Sequence, residues 1–137
     1  FYRLPWVYLS LAEIANMESD NSGVEKYINL VRKRAYASNW DENKHGYKSG
    51  DFTQNELAIL HEKDKEFVQE GQRWWDVLRM TLTKGGKHLV FCKEANLKNN
   101  GVPILNEATE SHKVLWPIEQ NMLDKYPSIK QTPGYEE

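Results

Sequence analysis

The chain contains few of the residues that would assign its chemistry directly. Its 137 residues include a single cysteine, Cys92, so an internal disulfide framework is excluded. No stretch approaches the roughly 18–20 apolar residues that a transmembrane helix requires. The formal net charge is only −2. That value argues against a general nucleic-acid binder, because such proteins usually carry a strong basic bias.

Motifs for metal binding, phosphate binding and nucleophilic catalysis are also missing. The four histidines lack ligand spacing such as His-x-x-x-His, and Cys92 stands apart from them. There is no Gly-x-Ser-x-Gly and no phosphate-binding glycine loop. The pair Gly85-Gly86 follows a predicted helix and is typical of a helix stop. We therefore expect no metal, no cofactor and no catalytic residue, and we interpret Cys92 as a small buried side chain.

Helical periodicity is the clearest local signal in the first 36 residues. Pro5 suits the first turn of a helix predicted over 5–17, in which apolar residues recur at spacings of three and four. A second helix is predicted over 24–36, and basic residues load its last turns, where they complement the helix dipole. Residues 1–36 therefore read as an antiparallel hairpin of about the length of one tetratricopeptide unit.

A long polar loop is predicted over residues 37–52. It is longer than most connections, and long loops are often functional or disordered. Trp40 and Tyr47 lie in this loop, where no periodicity demands their burial. Exposed aromatic rings stack on sugars or flat ligands, so Trp40 and Tyr47 are the candidate ligand contacts. The alternative is that the loop packs one of these rings against the core.

The region 53–82 combines a helical pattern with many charges. Thr53 and Glu56 match a capping box, which predicts that a helix starts there. Gly71 costs about 0.5–1 kcal/mol relative to Ala inside a helix, so it marks either a close helix crossing or a break. Trp74 and Trp75 are large apolar groups among these charges, and core packing is the favoured interpretation for both. Because adjacent residues point about 100° apart on a helix, at most one of the two rings should face the core squarely, and the other should lie at a seam or under a loop.

The same region raises the question of catalysis, because Glu66 and Glu70 are spaced to share one helix face. Their separation would be compatible with the roughly 5–9.5 Å between glycosidase carboxyl groups. Basic neighbours, however, lower a carboxylate pKa, whereas a general acid needs a raised one. Ion pairing is therefore favoured over catalysis. We predict that Arg73 is a buried or half-buried tie between Glu70 and Asp76.

Residues 83–137 are predicted to form a loop-rich tail. The stretch 88–95 fits either a short strand or a helical turn, and a short helix is predicted over 120–125, closed by Pro127. Trp116, directly before Pro117, is interpreted as a packed aromatic anchor.

Four segments, taken together, resemble the SusD/RagB family. The central one resembles the family signature and reads Glu62-x-x-x-Glu66-Phe67-x-x-Glu70-Gly71-x-Arg73-Trp74-x-Asp76-x-x-Arg79. The tail is similar to the family's closing motif and reads Trp116-Pro117-Ile118 … Pro127 … Gln131-Thr132-Pro133-Gly134-Tyr135. The start is similar to the helical pair before the signature, with Arg3-Leu4-Pro5-Trp6-Val7-Tyr8-Leu9, Ala12-Glu13 and Asn29-x-Val31-Arg32-x-Arg34-Ala35. The chain departs from the family pattern at Lys63, Glu119, Tyr126 and Thr132, and its loop 37–52 is long for the family.

The resemblance implies an all-α fold with tetratricopeptide-like helical pairs. It also implies a lipoprotein on the surface of a Gram-negative outer membrane. Such proteins capture oligosaccharides, or sometimes peptides, and cover a TonB-dependent SusC-like transporter; they are not enzymes. The chain would be the C-terminal quarter to third of such a protein, with the signal peptide, the lipid-bearing cysteine and much of the glycan site upstream. The resemblance transfers no sugar-binding residue to this chain.

Two other classes of protein remain open at this stage. A helical-repeat adaptor that binds a protein partner would explain the hairpin, but no second unit appears at a spacing of about 34 residues. A glycoside hydrolase fragment would explain the density of carboxylates. Turnover of an oligosaccharide by the full-length protein would favour the hydrolase, and binding without turnover would favour the SusD-like interpretation.

Overall fold

A computed structural model of the chain describes residues 3–96 and 101–135. Within these ranges the fold contains seven α-helices and no β-strand, which confirms the all-α prediction. The helices are α1 (Leu4–Met17), α2 (Asn21–Tyr36), α3 (Glu42–His45), α4 (Phe52–Glu66), α5 (Arg73–Arg79), α6 (Glu107–Glu110) and α7 (Gln120–Lys125). None of the helices in these ranges has the length and apolar character that a membrane span requires.

Helices α1 and α2 form the predicted antiparallel hairpin. Helix α2 begins three residues before the predicted start, because the side chain of Asp20 accepts a hydrogen bond from the Gly23 N–H at 3.0 Å and caps the helix there. Gly23 lies where the two helices approach closely, since a Cβ at this position would be 2.9 Å from the Cβ of Ala15. A larger residue at position 23 would therefore push the helices apart.

The segment between α2 and α4 is not wholly irregular. A 3₁₀ turn (Ala37–Asn39) follows α2 directly, and α3 lies within the segment predicted to be a loop. The side chain of Asn29 fixes the far end of the segment. Its Oδ1 accepts from the Tyr47 N–H at 2.7 Å, and its Nδ2 donates to the Tyr47 carbonyl at 3.1 Å.

Helix α4 has a capping box, but not the predicted one. Asp51 caps the helix by accepting from the Gln54 N–H at 2.8 Å, and the Gln54 side chain accepts from the Asp51 N–H at 3.0 Å. Thr53 and Glu56 instead reach the segment after α5. The Thr53 hydroxyl donates to the Leu82 carbonyl at 2.8 Å. The prediction failed because Asp51-x-x-Gln54 and Thr53-x-x-Glu56 are both valid capping patterns.

Gly71 marks a break between two helices. Helix α4 ends at Glu66, and α5 starts at Arg73. In the connection, Gln69 and Gly71 have φ values of 64° and 74°, in the left-handed region that favours glycine. The chain therefore turns here and packs α5 beside α4.

The core is formed by the inner faces of α1, α2, α4 and α5 together with the stretch after α5. In the stretch 88–95 the structure has two 3₁₀ turns (Leu89–Phe91 and Lys93–Ala95), so the helical-turn alternative is correct. Buried core side chains include Leu9, Val24, Ile28, Ile59, Leu60, Val77, Leu89 and Val90. Helix α7 has the predicted bounds, and no residue of 101–135 is fully buried.

Candidate functional site

Trp40 belongs to a three-ring group that we call the aromatic cluster, formed by Tyr36, Trp40 and His45. The Tyr36 and His45 rings stack with their centroids 3.9 Å apart and their planes at 10°. The Trp40 ring lies 6.3 Å from Tyr36 and 6.1 Å from His45. Trp40 is half-buried and Tyr36 is exposed. Of these three residues, sequence reasoning identified only Trp40.

The local backbone explains how the cluster assembles. Helix α2 ends with Ala37 at a φ of 47°, which turns the chain sharply. Asp41 then caps α3 by accepting from the Asn43 N–H at 3.0 Å, and this short helix returns His45 to Tyr36. The Nδ1 of His45 accepts from the Asp41 N–H at 3.2 Å, which fixes the orientation of the imidazole.

A cleft of about 320 Å³ adjoins the aromatic cluster along Tyr36 and His45. Its opposite wall is charged. Arg32 donates to Glu62 at 2.5 Å and to the His45 carbonyl at 2.8 Å, and Lys65 donates to Glu62 at 2.8 Å. Burial works to raise the pKa of Glu62, but the hydrogen bonds from Arg32 and Lys65 outweigh it and hold that pKa below its usual value. The cleft thus offers an aromatic wall and fixed polar groups to a ligand.

Tyr47, the second predicted ligand contact, occupies a different place. Its half-buried ring packs against the core, and its hydroxyl donates to the buried Asn55 Oδ1 at 2.8 Å. Burial raises the pKa of this hydroxyl. Because Asn29 also binds both backbone groups of Tyr47, the residue holds the loop onto the hairpin. Of the two predicted contacts, only Trp40 belongs to the aromatic cluster.

The charged segment around α4 and α5 forms a group that we call the charge cluster, made of Glu13, Lys63, Asp76 and Arg79. Its two carboxylates and Lys63 are largely buried, whereas the side chain of Arg79 is 55% exposed. Lys63 is only 2% exposed; it donates to Asp76 at 2.7 Å and pairs with Glu13. Arg79 donates to Asp76 at 2.9 Å and pairs with Glu13. Burial works to raise the pKa of Glu13, but Arg79 and Lys63 hold it below its usual value. Two carboxylates and two cations therefore balance each other between α1, α4 and α5.

Arg73 does not make the predicted tie between Glu70 and Asp76. It is half-buried, as expected, but it donates to Asp64 at 2.5 Å and to the Ala95 carbonyl. Glu70 instead pairs with Arg3 at 2.5 Å, while Asp76 lies in the charge cluster. The prediction assumed continuous helical spacing, and the break at Gly71 removes it.

A family model for the SusD family matches residues 1–135. The chain belongs to the SusD family. The resemblance drawn from its motifs is thereby confirmed.

Solved structures agree with this assignment. A crystal structure of a SusD superfamily protein from Bacteroides fragilis is 70% identical and superposes with a TM-score of 0.94, covering 99% of this chain and 28% of that one. B. fragilis NanU is 33% identical with a TM-score of 0.65, covering 99% of this chain and 27% of that one. No curated protein matches the chain. The chain thus spans little more than a quarter of the length of these two SusD-family relatives.

Carboxylates of the SusD-family signature form ion pairs with arginine side chains. Glu66, nearly buried, accepts from Arg3 at 2.8 Å and from Arg34 at 2.5 Å, and Glu70 pairs with Arg3. Within residues 3–96 and 101–135, no group of three or more histidine, cysteine or acidic side chains is arranged to hold a metal ion. The signature carboxylates are thus arranged for ion pairing.

The tryptophans of this SusD-family chain divide into two groups. Trp74 is half-buried and packs on the core, as interpreted from the sequence. Trp75 is 64% exposed and Trp116 is 73% exposed, so the interpretation of these two as packed residues is wrong for this chain. Pro117 is exposed beside Trp116. Sequence patterns do not separate the two groups, because whether a ring is buried depends on distant segments that happen to cover it.

Proposed function

We propose that the chain is the C-terminal part of a surface glycan-binding protein that captures oligosaccharides for import through a TonB-dependent SusC-like transporter. The observation that carries this proposal is the SusD-family match over residues 1–135. The complete protein would be a lipoprotein of the outer membrane, attached through a lipid on a cysteine upstream of these residues. Binding would proceed without chemical turnover of the sugar.

The arrangement of acidic groups supports binding without catalysis. Glu66 and Glu70 share the cation Arg3, so both carboxylates are engaged in ion pairs. Glu56 is different, because burial raises its pKa to about 7. Its nearest charged carboxylate, Glu13, is paired with two cations in the charge cluster. A glycosidase needs a second carboxylate that is free to act on substrate, and Glu13 is not free.

Trp40 is the candidate sugar contact within this chain, and the aromatic cluster supports that role. A sugar ring presents apolar C–H faces that stack on aromatic rings, while its hydroxyl groups need polar partners. Tyr36 and His45 form an aromatic surface beside a cleft whose far wall carries Arg32 and Lys65. Tyr47 contributes indirectly by fixing the loop that carries Trp40.

Glycan binding by the complete protein tests the proposal. We expect isothermal titration calorimetry to detect binding of an oligosaccharide and chromatography to show the same oligosaccharide unchanged after prolonged incubation. Release of shorter sugars would overturn the non-catalytic function. Selective binding of peptides in place of glycans would overturn the substrate class.

A second measurement tests the aromatic cluster. In the complete protein, Trp40→Ala should weaken glycan binding about fivefold, since one stacked ring contributes on the order of 1 kcal/mol and each step of about 1.4 kcal/mol is tenfold. Tyr126→Ala removes an exposed aromatic ring from the tail and serves as the matched control. Residues 1–137 alone should bind weakly or not at all. Micromolar binding by residues 1–137 that Trp40→Ala abolishes would show that the main site lies in this chain.

A further inference from the structure

The cleft beside the aromatic cluster carries more basic than acidic side chains. Its lining includes the basic residues Arg32, Lys44 and Lys65, together with the two carboxylates of Glu62 and Glu66. The whole chain, in contrast, has a formal net charge of −2. The basic lining is therefore a local property of this cleft, because the average composition of the chain would supply charge of the opposite sign.

The two carboxylates of the cleft are nearly buried and are paired with cations. The side chain of Glu62 is 7% exposed and accepts from Arg32 at 2.5 Å and from Lys65 at 2.8 Å. The side chain of Glu66 is 9% exposed and pairs with two arginines. Each carboxylate is thus shared by two cations, so neither presents an uncompensated negative charge to a ligand.

The two lysines of the cleft, by comparison, reach water. The side chains of Lys44 and Lys65 are 75% and 66% exposed, and they belong to different helices, α3 and α4. The Nζ of Lys44 lies 3.5 Å from the carboxylate of Asp41, which is longer than a direct hydrogen bond. Lys65 directs one of its three ammonium donors at Glu62. Two helices therefore bring exposed ammonium groups to the same cleft.

Two clefts elsewhere on the chain have the opposite balance. A cleft between α1 and α5 is lined by Glu13, Glu18 and Asp76, and Arg79 is the one basic side chain among the described residues that line it. A neighbouring cleft combines Arg79 with Glu13 and Glu56. Of these three clefts in the described part of the chain, only the cleft beside the aromatic cluster has a basic excess.

On the basis of the glycan-binding function proposed above, we propose that this cleft binds an acidic oligosaccharide, with Lys44 and Lys65 contacting a carboxylate or sulfate group of the sugar. The aromatic cluster provides a stacking surface that any sugar ring can use, whereas the two ammonium groups favour a charged one. A lysine ammonium is a compact charge with rotatable donors, so its geometry accepts either anion. Because both lysines are exposed, salt should screen their attraction for the ligand.

An array of neutral, carboxylated and sulfated oligosaccharides, probed with the complete protein, tests this proposal. We expect acidic oligosaccharides to bind in preference to neutral ones, and the carboxylated and sulfated members of the array identify the anion. The strongest binder is then titrated by calorimetry against the parent protein and the double variant Lys44→Gln/Lys65→Gln. The double variant should bind about tenfold more weakly, as the combined effect of two exposed ion pairs.

The matched control is Lys84→Gln/Lys93→Gln, which makes the same change in charge at two exposed lysines outside the cleft. This control should bind like the parent protein. The difference between the parent and the Lys44→Gln/Lys65→Gln variant should shrink when the salt concentration is raised from about 50 mM to about 500 mM. If circular dichroism shows that the double variant does not fold, the single variants Lys44→Gln and Lys65→Gln are measured in its place.

Other outcomes overturn the proposal in distinguishable ways. Binding of an acidic oligosaccharide that Lys44→Gln/Lys65→Gln retains in full would place the anion contact elsewhere in the complete protein. A preference for neutral oligosaccharides would overturn the acidic substrate class and leave the glycan-binding function intact. Binding of no oligosaccharide at all would overturn the glycan-binding function and, with it, the acidic substrate class.

Discussion

The helical part of the chain and its tail are stabilised in different ways. Residues 3–96 bury a continuous apolar core and the charge cluster beneath it. Residues 101–135 contain no fully buried side chain, and only Ile104 and Leu105 pack against that core. The helical part therefore determines the stability of this chain, whereas the tail depends on local hydrogen bonds and on any structure that surrounds it.

Within the tail, the side chains of the closing motif mainly form hydrogen bonds with backbone groups. The Gln131 side chain accepts from the Ile118 N–H at 2.8 Å and donates to the Ile118 carbonyl at 2.9 Å. The Thr132 hydroxyl donates to the Trp116 carbonyl at 3.0 Å, and the Tyr135 hydroxyl donates to the Leu115 carbonyl at 3.2 Å. These bonds fix the backbone of residues 115–118 to the end of the tail. They present the Trp116 ring to the outside and do not bury it.

Lys63→Ala should have the largest effect of the variants considered, because it weakens the helical part and leaves the tail unchanged. It leaves Glu13 and Asp76 with one cation instead of two, and the cation that is lost is the buried one. Removing one partner from a buried ion pair costs about 3–5 kcal/mol, and urea melts of residues 1–137 should show a loss of this size. Lys113→Ala removes an exposed lysine that pairs with Glu110 in the tail, and it should leave the melt unchanged. A loss below about 1 kcal/mol in Lys63→Ala would show that the cluster is effectively solvated.

The pH dependence of stability should originate largely in the helical part, at Glu56. Its Oε1 accepts from the Thr81 N–H at 2.7 Å, whereas its buried Oε2 has no hydrogen-bond partner among the residues that the structure describes. Burial raises the pKa of Glu56 from 4.5 to about 7. The folded chain thus binds more protons than the unfolded chain between these pH values, so its free energy of unfolding falls as the pH rises through them.

Glu56→Gln keeps the acceptor for Thr81 and removes the titration. We expect the variant to lose this decline and, above pH 7, to exceed the parent chain in stability by up to about 3 kcal/mol. Near pH 4, below the unfolded pKa of the carboxyl, the two proteins should unfold alike. Glu94→Gln makes the same change at an exposed site and should follow the parent at both pH values. If Glu56→Gln is no more stable than the parent at pH 8, Glu56 is ionised without penalty.

Arg73→Ala should cause an intermediate loss, because Arg73 is half-buried at the junction of α4, α5 and the turn that ends at Ala95. Its removal leaves Asp64 and a backbone carbonyl without their donor. We expect a loss of about 1–2 kcal/mol in urea melts. Arg73→Lys retains the charge without the two-pronged geometry and should recover only part of this loss. If Arg73→Ala leaves the unfolding free energy unchanged, Arg73 contributes no more to stability than an exposed ion pair does.

Trp116→Ala should have the smallest effect on the unfolding free energy. It tests whether the tail contributes to the stability of the helical part. Its ring is exposed in this chain, so its removal should change the unfolding free energy of residues 1–137 by no more than about 0.5 kcal/mol. Trp74→Ala is the matched change in the helical part and should be clearly destabilising, because that ring packs on the core. Equal losses in both variants would show that the tail contributes to the same cooperative unit.

The sequence predictions are accurate where the interactions join residues close together in the sequence, and they fail where the interactions join distant residues. Helix α7 and the hairpin were predictable because their signals are local: proline at the first turn, apolar spacing and basic last turns. The start of α4 was ambiguous because two capping patterns overlap. The partners of Arg73 were not predictable, since Asp64 and Ala95 are brought to it by a turn whose course the sequence left open.

The candidate site shows the same limit. Trp40 was identifiable from its place in a polar loop, but the partnership of Tyr36 and His45 depends on the short helix α3, which was not predicted. The partners in the charge cluster were also not predictable. Glu13 meets Lys63 and Arg79 across the fold, and no spacing rule connects residues so far apart along the chain.

The charge cluster also bears on how the chain avoids misfolding. Two apolar helix faces can shift along each other, because a leucine can exchange one apolar neighbour for another at little cost in free energy. A buried lysine cannot do so: if α4 advanced by one turn along α1, Lys63 would lose its ion pair with Glu13 in a site where a lost partner is costly. The cluster thus penalises near-native alignments more than it rewards the correct one. The cluster therefore favours a single register of α4 against α1.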